Sequence, residues 1–87
     1  MSEENQPIPH SEMVDRFIAL ANEYARTEAK ERIGAAIMFA AARYNAFEAS
    51  LKSKNLSKDK SEALAWYSNE YRRMLDANMD ELTGMQS

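Results

Sequence analysis

Ile33-Gly34-Ala35-Ala36-Ile37-Met38-Phe39-Ala40-Ala41-Ala42-Arg43-Tyr44-Asn45-Ala46-Phe47-Glu48-Ala49-Ser50-Leu51 is a run of nineteen residues, fourteen of them apolar and none a proline. Ile33, Ile37, Ala40, Tyr44, Phe47 and Leu51 recur at steps of four, three, four, three and four, so they share one face of an α-helix. Ala35, Met38, Phe39, Ala42, Ala46 and Ala49 form a second face, mostly small. Two polar strips part them: Lys30, Asn45, Glu48 and Lys52 on one side, Arg32, Arg43 and Ser50 on the other. A helix that is apolar on two nearly opposite faces needs a neighbour on each. The alanines allow close backbone approach, and the larger side chains supply knobs for packing. The nearly unbroken apolar part, 33–42, is about half the length of a membrane span.

Working outward, this helix is predicted over about 29–53. Asn55 is expected in the left-handed conformation at its C-terminal end, with Leu56 folding back on Leu51. A third helix over about 58–82 follows. Asp59 and Glu62 form a capping-box pattern, with Ser57 as the competing cap. Leu64, Tyr67, Tyr71, Met74, Leu75, Asn78 and Leu82 share its apolar face, and Gly84 reads as its terminator, leaving 84–87 as a frayed tail. Upstream, Met13, Val14, Phe17, Ile18, Leu20, Ala21, Tyr24 and Ala25 mark a first amphipathic helix over about 11–27, capped by Ser11 or His10, with Glu12 in its first turn. Its stripe lies roughly 140° from the large-residue face of the second helix, so one straight helix cannot bury both against one partner. A turn is therefore expected near 27–32, with Thr27 as a cap. Residues 1–9, with two prolines and no apolar period, read as a mobile arm. The expected architecture is all-α: a small three-helix bundle in a single domain, 10–83, completed by dimerisation.

Composition narrows the chemistry. With 87 residues, one domain fills the chain. No cysteine and one histidine remove disulfides, zinc fingers, iron–sulfur clusters and a thiol nucleophile. His10 reads as a solvated cap or arm residue. The acids fall on polar faces, where they suit i,i+4 pairs such as Arg72 with Asp76, and no Glu-x-x-His pattern for a di-metal site is present. No nucleophile, base and orienting group assemble by spacing, so no enzyme and no cofactor are expected. The formal net charge of −3 argues against a nucleic-acid binder. The acidic, proline-containing start is no secretory signal, which places the chain in the cytoplasm, off the membrane.

The least generic residues are Arg43, Tyr44 and Asn45, which interrupt the central helix as a polar core, with Arg43 paired to Glu23 or Glu70, or as the floor of an anion pocket. Lys52, Lys54, Lys58 and Lys60 make the second connection basic, but no aromatic stands among them to stack a base. Trp66, off the main stripe of the third helix, reads equally as a core edge or as an interface anchor, and with Phe39, Ala42 and Ala46 it forms the candidate interface.

Phe17-Ile18-Ala19-Leu20-Ala21-Asn22, then Ala40-Ala41-Ala42-Arg43-Tyr44-Asn45-Ala46-Phe47, then Trp66-Tyr67 with Tyr71-Arg72-Arg73-Met74-Leu75 resemble a family of small proteobacterial proteins known as domain of unknown function 3144. The resemblance spans about 13–82, and its most specific piece is the Ala-Ala-Ala-Arg-Tyr-Asn-Ala-Phe string. It implies a bacterial, cytoplasmic, all-helical protein and carries no activity or site residues with it. The surplus of apolar helix surface points to a protein-interaction or scaffold module that self-associates as a homodimer, with an unidentified protein partner also compatible. The alternative is a small anion, nucleotide or nucleic-acid binder using Arg43 or the lysines of the second connection.

Overall fold

The computed structural model describes residues 6–86. Residues 1–5 of the expected arm and Ser87 of the expected tail lie outside the described residues. Among the described residues the chain is all-helical and without strands: α1 (His10–Tyr24), α2 (Lys30–Lys52) and α3 (Leu56–Gln86). The chain divides into two compact units, Met1–Ala40 and Ala41–Ser87.

In the first unit, α1 begins at His10 behind Pro9, whose fixed φ and carbonyl open the helix while no side chain caps it, so neither His10 nor Ser11 has the expected capping role. Arg16 pairs with Glu12 at 2.7 Å along its exposed surface. The turn that the phase change required falls at residues 25–29. Ala25 keeps right-handed backbone, the amides of Thr27 and Glu28 donate to the Tyr24 carbonyl at 3.1 and 2.8 Å, and the carbonyl of Ala29 opens α2 by accepting from Arg32 and Ile33. No described residue has positive φ, which is why this turn needs neither glycine nor proline. Thr27 caps nothing; its hydroxyl donates to Glu28 at 3.5 Å, and Glu28 also pairs with Arg32.

In the second unit, residues 41–52 of α2 and the start of α3 form a helical hairpin closed by residues 53–55. The expected left-handed Asn55 is not found. Asn55 instead caps the next helix: its Oδ1 accepts from the Lys58 amide at 3.3 Å and the Ser57 hydroxyl at 3.1 Å, and its carbonyl accepts from the amides of Lys58 and Asp59. α3 thus starts at Leu56, earlier than a cap at Ser57 or Asp59 would allow. Asp59 faces back instead, accepting from the Ser53 hydroxyl at 2.6 Å. Gly84 does not stop α3, which runs on to Gln86, because it does not take the positive φ that a glycine helix stop uses.

The half-buried residues of α3 are Leu56, Asp59, Ala63, Tyr67 and Glu70, spaced three, four, four and three apart. This row is the face turned to α2. The matching residues are Asn45, Glu48 and Ala49 on α2 and Ser53 in the connection, of which Ala49 is buried. The hairpin therefore closes on a polar strip and one alanine. The large-residue face, with Tyr44, Phe47 and the 71% exposed Leu51, is left open.

Candidate functional site

The hairpin of the second unit holds the best-defined group of interacting side chains. Glu48 Oε1 accepts from Asn45 Nδ2 at 3.1 Å, within α2, and from the Tyr67 hydroxyl at 3.2 Å, across to α3. Both donors are neutral and the carboxylate is half-buried, so the bonds stand in for part of its lost hydration. Desolvation, then the hydrogen bond to Glu48 and its negative charge, push the Tyr67 phenol above its ordinary value. Tyr67 also meets Trp66 edge to face, with ring centroids 5.0 Å apart. The Lys52 ammonium lies 5.9 Å from the centre of the Trp66 ring, a cation–π contact that ties the two helices at the solvent edge. Ala49, Lys52, Asp59, Ala63, Trp66 and Tyr67 line a shallow open cleft on this hairpin.

Of the residues singled out from sequence, the structure brings Asn45, Lys52 and Trp66 into this group. Arg43 and Tyr44 are exposed, so they do not form a buried polar core, and Tyr44 packs its ring against Phe47 at 5.9 Å. Glu70, a proposed mate for Arg43, pairs with Arg73 at 2.6 Å instead. That bond and the charge of Glu70 hold Arg73 above its already high ordinary value. Phe39 is exposed in the first unit, and Ala42 and Ala46 are exposed in the second. Trp66 is 56% exposed. Lys54, Lys58 and Lys60 are exposed too, while Lys52 leans over Trp66. Among the described residues no group of His, Cys, Asp or Glu could hold a metal ion, and no helix is long and apolar enough to cross a membrane. The helical wheel places Glu48 on a polar strip without showing it to be a shared acceptor. The signal was present, since Asn45, Glu48 and Lys52 recur at helical spacing beside Ala49.

The broader feature is apolar exposure. Among the described residues only Ala49 is a buried hydrophobic, while twenty large apolar side chains are exposed. They include Met13, Phe17, Ile18 and Leu20 on α1 and Tyr71, Met74, Met79 and Leu82 on α3, with Phe17 as high as 72%. Single exposed hydrophobics are ordinary on protein surfaces, whereas contiguous exposed rows occur at protein, membrane and ligand contact sites alike.

Comparison with the curated proteins and with the solved structures finds no significant match. One family model does match, over residues 10–83, which includes all of α1 and α2 and nearly all of α3, and it bears the description "Protein of unknown function (DUF3144)". On that coverage, the chain belongs to this family.

Proposed function

We propose that this chain is a non-enzymatic protein-interaction module of the cytoplasm that associates with itself as a homodimer. The supporting observation is the exposure of twenty large apolar side chains against one buried alanine. Units of this size bury too little of their own surface to be stable on packing alone, and covering the exposed rows with a second copy supplies the missing burial. A symmetric pair also needs no second gene product to be present.

Sedimentation equilibrium of the full chain at about 10 to 100 µM tests this, because a specific interface of about 1,200 Å² or more holds in that range. The expected result is a dimer mass together with a melting temperature that rises with protein concentration. A monomer that melts cooperatively at one temperature across that range would rule the reading out.

A further inference from the structure

We infer that two copies pair through the C-terminal half of α3, antiparallel, about a two-fold axis passing between Met74 and Leu75. This rests on the self-association reading and adds the surface and the geometry. α3 carries two rows of different character. The row Leu56, Asp59, Ala63, Tyr67 and Glu70 is half-buried against α2. The row Leu64, Tyr71, Leu75, Asn78 and Leu82 lies about 90° further round the helix and is exposed along its whole length. α3 is 31 residues long, about 46 Å, whereas residues 41–52 of α2 span about 18 Å, so the second unit has no segment of its own to cover the later turns of α3. Leu64, Tyr71, Met74, Leu75, Met79 and Leu82 are 39–58% exposed, roughly 100 Å² each, so complete burial in two copies would remove at most about 1,200 Å², the lower end for a specific interface.

Charge argues for a second copy and sets the direction. Arg72 and Asp76 stand one turn apart on one side of this row, about 90° and 130° round the helix from it, and with Asn69, Leu75 and Met79 they line a shallow groove. Although i,i+4 spacing would let them pair with each other, among the described residues neither takes part in an ion pair; Arg73 takes Glu70. An antiparallel two-fold apposes the same flank of both copies, so Arg72 of each meets Asp76 of its mate, twice. In that register Leu75 packs on the mate's Met74, and Tyr71 lies opposite the mate's Asn78. The Asn78 amide already donates to the Met74 carbonyl of its own helix at 2.8 Å, leaving Oδ1 to accept from the mate's Tyr71 hydroxyl. A polar side chain in such a seam fixes its register. Parallel pairing joins opposite flanks, leaves Asp76 without a cation, and aligns the helix dipoles unfavourably.

The chain has no cysteine, so single substitutions report distances cleanly. Under mild oxidation, Leu75→Cys, beside the axis, is expected to cross-link nearly completely, while Leu82→Cys, about 22 Å from its mate in this register, is expected to stay reduced. Equal cross-linking of both would establish a parallel pair and overturn the inference. Arg72→Asp or Asp76→Arg alone should weaken the dimer about tenfold or more, and the two together should restore it. Helicity by circular dichroism checks each variant's fold. A dimer unaffected by either swap and uncross-linked at Leu75→Cys would place the interface elsewhere and overturn this inference while leaving self-association standing. A wild-type monomer at 100 µM would remove both.

Discussion

Two residues show how single side chains hold the hairpin. Asn55 satisfies the first amides of α3, and Asn55→Ala is expected to destabilise the second unit by about 1 kcal/mol, read as a lower urea midpoint with an unchanged slope. Tyr67 gives a pH signature. Its phenol titrates above the ordinary 10.0, because desolvation and the bond to Glu48 favour the protonated form. A raised pKa means that this contribution is fully present below pH about 10 and is lost as pH rises through the folded-state value. Tyr67 should therefore ionise above pH 10 in an ultraviolet titration, and Tyr67→Phe should reduce the alkaline fall in melting temperature. A fall of the same size in the variant would mean that another group is responsible.

Among the elements, the helices follow from periodicity because each carries a 3.6-residue apolar pattern that no strand could use. What the sequence did not disclose is which face meets which. The second helix advertises Tyr44, Phe47 and Leu51 as its packing face, yet the hairpin closes on Asn45, Glu48 and Ala49, because the acceptor Glu48 and the small Ala49 together suit the tyrosine arriving from α3. Wheel patterns record hydrophobicity, and a carboxylate that two donors satisfy reads there as solvated. Asn55 is ambiguous in sequence for a related reason: its side chain serves a helix start as readily as its backbone serves a helix end. Gly34 gives a check on α2. A Cβ there meets nothing within 4 Å, so Gly34→Ala should raise stability by about 1 kcal/mol through helix propensity alone. A lower urea midpoint would mean that a partner packs closely at that position.

At the level of the whole molecule, stability and assembly should be inseparable. Diluting the chain is expected to lower its melting temperature, and the shift should vanish in a variant with Leu75→Asp and Leu82→Asp, followed by circular dichroism at several concentrations. Retention of the shift would locate the stabilising contact outside α3. The short connections, residues 25–29 and 53–55, carry a further consequence for kinetics. Each unit joins segments that are near neighbours in sequence, as in the Glu48–Tyr67 bond across 19 residues, so little loop entropy opposes its formation. Refolding should accordingly begin with a phase in the microsecond-to-millisecond range that is independent of concentration, and end with a second-order phase whose half-time halves when the amount of chain in the cuvette is doubled.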